Sequence, residues 1–137
     1  MAETAEPVSP LVVEALLPVA GAPRRARDLV TEACVRSNLA RLIPAATVII
    51  SELVSNVIDH AHTMMTVEVA LRPSQLYLAV HDGSSAPPVL RRADDVQSHD
   101  GRGLHLVAAF STAWGHTAEG SGKTVWATVA VDAAARD

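Results

Sequence analysis

The stretch Glu52-Leu53-Val54-Ser55-Asn56-Val57-Ile58-Asp59-His60-Ala61 decides how this chain is read. With Ile50, its Leu53, Val54, Val57, Ile58 and Ala61 fall on one arc at about 100° per residue, the pattern of an amphipathic helix. Glu52, Asn56, Asp59 and His60 fall on the opposite arc. One narrow stripe therefore carries a carboxylate, an amide, a carboxylate and an imidazole. Glu52 and Asn56 are i and i+4, so both side chains share a face. A carboxylate and an amide oxygen side by side suit a hard cation such as Mg²⁺, which takes oxygen ligands, keeps several waters and bridges phosphates. Alternatively, Glu52 stays off the metal and orients a hydroxyl or a water for attack. The plain alternative to both is a solvated polar face with His60 covering a helix end.

Working outward, Pro44 opens this helix, which runs to about His62. Gly21-Ala22-Pro23 breaks the chain, and Pro23 suits the first turn of an earlier helix reaching about Asn38. There Ala26, Leu29, Val30, Ala33 and Cys34 recur at helical spacing. Residues 1–9 read as a loose tail and Leu11–Leu17 as an edge strand. Downstream, Thr66–Leu71 and Leu76–Val80 read as a hairpin over Arg72-Pro73-Ser74-Gln75. Asp82 to Asp100 has no periodicity, and so long a loop in a compact domain is either functional or disordered. Gly101-Arg102-Gly103 then leads into a short helix, Leu104–Ser111. Ala113–Thr117 and Thr124–Val131 read as two further strands. Short turns between neighbouring strands predict a mixed, mostly antiparallel sheet with the helices on one face. The expected fold class is α+β, a two-layer sandwich in a single domain over residues 10–133.

Composition narrows the function classes. With 49% hydrophobic and 19% charged residues over 137 positions, the chain is globular and not disordered. Only Tyr77, Phe110, Trp114 and Trp126 are aromatic, so the core must rest on Val, Leu, Ile and Ala. A net charge of -4 argues against a nucleic-acid partner. The single cysteine, Cys34, excludes an internal disulfide and suits a reducing compartment. No uninterrupted apolar run reaches about 18 residues, so no membrane span is expected. The acidic start MAETAEPVSP lacks the basic region of a signal peptide. The expected location is the cytoplasm. Arg is abundant and Lys123 is the only lysine, a composition that suits a high-GC bacterial genome.

Two more segments carry chemistry. Val80-His81-Asp82-Gly83 ends a strand on an aspartate, which can accept a hydrogen bond from an exocyclic amine; Asp-Gly also simply starts turns. Gly101-Arg102-Gly103-Leu104 lies at a loop-to-helix junction, where glycines permit close approach and free N–H groups favour phosphate. Other patterns fail. Gly122-Lys123-Thr124 ends like a P-loop, but Thr117 stands where the first glycine belongs and a strand follows. His60-x-His62 has no third metal ligand at a recognisable spacing. No G-x-S-x-G is present.

In this order, the three segments resemble the GHKL (Bergerat-fold) ATPase superfamily, and within it the small bacterial anti-sigma-factor serine kinases. ELVSNVIDHA is similar to the family's N-box, E-L-x-x-N-x-x-x-H-A. VHDGSSAPP sits where the G1 box lies, and HDGRGLHLV is similar to the G2 box, G-R-G-L-x-L-V. AWG and GKTVWA match two late family strands. The resemblance spans about Pro23 to Val131. It implies that Asn56 binds Mg²⁺ on the phosphates of ATP, and that Glu52 is the general base toward a serine hydroxyl or water. It implies that Asp82 bonds the adenine amine, that residues 83–100 form a lid, and that Gly101, Arg102, Gly103 and Leu104 close on the phosphates. It places Thr124 near the adenine, and Asp59, His60 and Ser84 among the nucleotide-binding residues. One departure stands out. The usual G1 box is D-x-G-x-G, and here Ser84 and Ala86 replace its glycines ahead of Pro87-Pro88, which stiffens the lid hinge.

The function implied by the resemblance is that of an anti-sigma factor and protein-serine kinase. It would hold a sigma factor and phosphorylate a small antagonist protein with Mg-ATP. The alternative is a non-catalytic switch in which ATP shapes a protein-binding face. Family members commonly dimerise, so a homodimer is a further expectation. Sensor histidine kinases and gyrase-type or chaperone ATPases need additional domains for which 137 residues leave no room.

Overall fold

The computed structural model describes residues 8–88 and 99–132, with side chains in the second segment from Leu104 onward. The chain runs as β1 (Ser9–Leu16), α1 (Ala22–Arg36), α2 (Ile43–Asn56), β2 (Met65–Leu71), β3 (Gln75–Asp82), α3 (His99–Phe110), β4 (Ala113–Glu119) and β5 (Gly122–Ala130). A 3₁₀ turn at Ala40–Leu42 leads into α2, and a π turn at Val57–Ala61 follows it. The strands form one sheet in the order β1-β2-β3-β5-β4. Every ladder among the described residues is antiparallel.

Strand register decides which side chains meet the helices. Leu76, Leu78 and Val80 of β3 pair with Val129, Ala127 and Val125 of β5, and all six enter the core. Val67 and Val69 of β2 join them on the same face. The three helices cover that face with Ala26, Val30, Ala33 and Cys34 of α1, Ile49, Ile50, Leu53 and Val54 of α2, and Leu104 and Val107 of α3. Small residues on α1 let it lie close to α2, whose Ile and Leu fill the space between helices and sheet.

The helical stretch Ala40–Ala61 has a mean hydropathy of 1.5 and is long enough to cross a membrane. Here it is the central element of the helical layer, with its apolar residues in the core shared with the sheet. Elements begin and end close to the sequence expectations, with two differences. β1 opens at Ser9, so the expected tail falls on residues 1–7, outside the described residues, and on Val8 and Ser9. α3 opens at His99 and not at Leu104. Gly101 and Gly103 masked this start, since glycine costs about 1 kcal/mol in a helix interior. In a first turn, where backbone N–H groups lack helical partners anyway, that cost matters less.

Candidate functional site

The polar stripe of α2 is built by the same periodicity that buries its other side. Glu52 and Ser55 are half-buried, and Asp59 is exposed. Asn56 is not on an open face: it is only 8% exposed. A π turn follows Asn56 directly. His62 N–H donates to Val57 O at 2.8 Å, an i→i−5 bond, and His62 closes the turn in the left-handed conformation. One extra residue per turn shifts the arc after Asn56, so Ile58 and Ala61 are only partly buried. Such π insertions recur at functional sites.

The π turn delivers the chain to β2, whose first residue, Met65, pairs with Asp82. The far end of the α2 stripe and the end of β3 are thereby adjacent in the fold. Gly83 N–H donates to Thr63 Oγ1 at 2.9 Å and fastens the two together. On the other side α3 packs on α2 through the core that holds Leu104. Gly101, Arg102 and Gly103 lie in the first turns of α3, and not in a loop before it. Ser84 donates its N–H to Asp82 Oδ1 at 2.8 Å, and Ala86 N–H donates to Ser84 Oγ at 3.2 Å. The expected lid begins here, and its residues 89–98 lie outside the described residues.

Asp82 does not stand open to a ligand. It is 8% exposed, and Lys123 on the paired position of β5 puts its ammonium 2.9 Å from Oδ2 and 3.2 Å from Oδ1. The two side chains are 1% and 4% exposed. Close strand approach enforces the pairing: a Cβ on Gly122 would fall 2.2 Å from Asp82 O. Lys123 was missed as a site residue by sequence reasoning, which weighed it as the end of a P-loop and as part of a late strand. Its being the single lysine in the chain was the available signal.

Thr124 lies away from this site. Adjacent residues of a strand face opposite sides of the sheet, so with Lys123 inward, Thr124 points to the face without helices. There its hydroxyl meets His81 Nδ1 and donates to Glu119 Oε1 at 2.8 Å. His81 Nε2 is 3.1 Å from Glu68 Oε1. Tyr77, His81, Thr124 and Trp126 line a cleft of about 290 Å³ on that face. Arg72 stacks over the Tyr77 ring at 4.3 Å. Burial, and secondarily the Glu68 carboxylate, push the Tyr77 hydroxyl pKa upward against the opposing pull of Arg72. Strand parity thus puts the Thr124 side chain on the opposite face of the sheet from the Asp82–Lys123 contact.

The residues fit an Mg-triphosphate at one end and not at the other. Glu52 and Asn56 offer hard oxygen donors one turn apart. Among the described residues no group of three His, Cys, Asp or Glu side chains forms a metal cage. That arrangement suits Mg²⁺, which binds through one or two protein oxygens plus phosphates and waters. At the base end, the carboxylate expected to take an adenine amine is already paired with an ammonium.

In the solved structure of the RsbU and RsbW domains of Rv1364c from Mycobacterium tuberculosis, a similar fold occurs with a TM-score of 0.66 and 18% identity. The match covers 90% of this chain and 32% of that one, so this chain spans about a third of its length. A search of curated proteins finds no significant match. The profile of the histidine kinase-like ATPase domain matches residues 18–129, from the end of β1 through β5, and the chain belongs to that family.

Proposed function

We propose that this chain is an ATP-dependent regulatory protein of the anti-sigma type, which holds Mg-ATP through its phosphates and acts on a protein partner. The observation that carries this reading is the α2 stripe, with Glu52 half-buried one turn before the buried Asn56. The family membership and the likeness to a structure containing an RsbW domain support it. Asn56 would hold the metal, and the first turn of α3 would lie toward the phosphates. Mg²⁺ bound there supplies charge neutralisation to the phosphates, the main demand of phosphoryl transfer. Glu52 takes the proton of an incoming serine hydroxyl on the antagonist protein. The serine oxygen bonds the γ-phosphorus, the bond to the β-phosphate oxygen breaks, and ADP leaves.

A second reading has its own support. Asp82 is sealed by Lys123, and Ser84 and Ala86 stand where a glycine hinge would give freedom. A chain with a stiff, partly filled site suits a switch that binds nucleotide and partner without transfer. In either reading the partners are a sigma factor and its antagonist, and the location is the cytoplasm.

Calorimetric titration with ATP, with and without Mg²⁺, tests the shared claim. Binding should depend on Mg²⁺ and vanish in Asn56→Ala. Glu52→Ala should keep binding and lose transfer to an antagonist serine. Full-strength, Mg-independent binding by Asn56→Ala would overturn the site.

A further inference from the structure

The sole lysine of the chain is spent on a buried contact with the one carboxylate that a nucleotide base would use. Asp82 ends β3 at the mouth of the candidate site, and its carboxylate charge is already met by an ammonium. Oδ1 accepts from Ser84 N–H at 2.8 Å and from Lys123 Nζ at 3.2 Å, while Oδ2 lies 2.9 Å from the same ammonium. Both side chains are buried, 1% and 4% exposed. Their positions are fixed by ladder register, Asp82 against Lys123, and by the contact of Gly122 with Asp82 O, so neither is a wandering surface side chain.

A carboxylate selects adenine because it accepts from the exocyclic amine and repels the carbonyl that guanine carries at the same position. A site built on such a bond rejects the wrong partner strongly, because a buried polar group is left unpaired. Here the acceptor is paired before any nucleotide arrives. An incoming amine must compete with that ammonium, and a carbonyl meets an ammonium as well as a carboxylate.

We infer that Lys123, seated against Asp82, is an internal substitute for the base amine, so that this chain binds nucleoside triphosphates through their phosphates and does not select adenine. The inference rests on the triphosphate site proposed above, and makes Lys123 the residue that sets base selectivity.

The test is calorimetric titration of the full chain with ATP, GTP and inorganic tripolyphosphate, each with Mg²⁺. In the wild type, ATP and GTP should bind within about threefold of each other, and tripolyphosphate should bind too. In Lys123→Met, which keeps the aliphatic stem and removes the ammonium, ATP should be preferred to GTP by about tenfold or more. A wild type that prefers ATP by tenfold overturns the inference and leaves the phosphate site standing. A folded Lys123→Met with equal affinities also overturns it. If none of the three ligands binds the folded wild type, the triphosphate site itself fails and the inference falls with it. Should Lys123→Met not fold, the wild-type ratio decides alone.

Discussion

The ammonium of Lys123 lies 2.9 Å from Asp82 Oδ2, across directly paired positions of β5 and β3 and out of reach of water. A pair so placed is worth little relative to an apolar pair of the same shape, yet costs much to break. Removing one partner leaves an uncompensated buried charge. Lys123→Met should therefore destabilise the domain by about 3–5 kcal/mol, while Asp82→Leu with Lys123→Met should return close to wild type. Urea unfolding midpoints of the two variants check this. Equal destabilisation by single and double variants would show that the pair does not act as a unit.

Gly122→Ala should be costly although Gly122 carries no unusual backbone angle. The added methyl would lie 2.2 Å from a backbone oxygen, which cannot swing aside as a side chain can. The β3–β5 contact must open, at about 1–3 kcal/mol. The Asp82–Lys123 contact opens with it, so amide exchange at Gly83 and Thr124 should accelerate. Unchanged exchange would contradict the close approach.

Cys34 is buried against the core, and burial raises its thiol pKa. The thiolate is the reactive form. Alkylation in native buffer should be slow and should follow unfolding, rising by orders of magnitude in denaturant. Rapid labelling of the native chain would mean that α1 opens readily from the sheet.

Tyr77, the only tyrosine, gives a test at alkaline pH. Its folded pKa lies above the unfolded value of about 10, so the fold favours the neutral phenol. The stabilisation from this shift is complete below the unfolded pKa and is lost as pH rises through the folded one. Unfolding at pH 11 should therefore be easier than at pH 8, and Tyr77→Phe should reduce that difference. Absorbance of tyrosinate reads the titration directly. A native midpoint at or below the free-tyrosine value would contradict the assigned burial.

Local order was legible in the sequence and long-range register was not. The stripe on α2, the hairpin over Arg72–Gln75 and the element order follow from periods of 3.6 and 2 and from turn residues, all local signals. The π turn at Val57–Ala61 is invisible to a constant 100° count, which is why Ile58 and Ala61 fall on the counted apolar arc and are only partly buried. Glycines hid the start of α3. The Asp82–Lys123 pair joins positions far apart in the chain, and only the ladder between β3 and β5 places them together. That same ladder sends Thr124 to the opposite face with His81. Both differences concern the base end of the site, where pairing decides the chemistry, whereas the stripe that carries the phosphate-end assignment sits on a single helix.

The most direct test of the account is an amide chemical-shift map of the wild-type chain titrated with Mg-ATP. Shifts are expected along Glu52–Ala61 and residues 101–104, with the Glu68, His81, Glu119 and Thr124 cluster on the far face of the sheet unmoved. Shifts confined to that far-face cluster, with the α2 stripe silent, would contradict it.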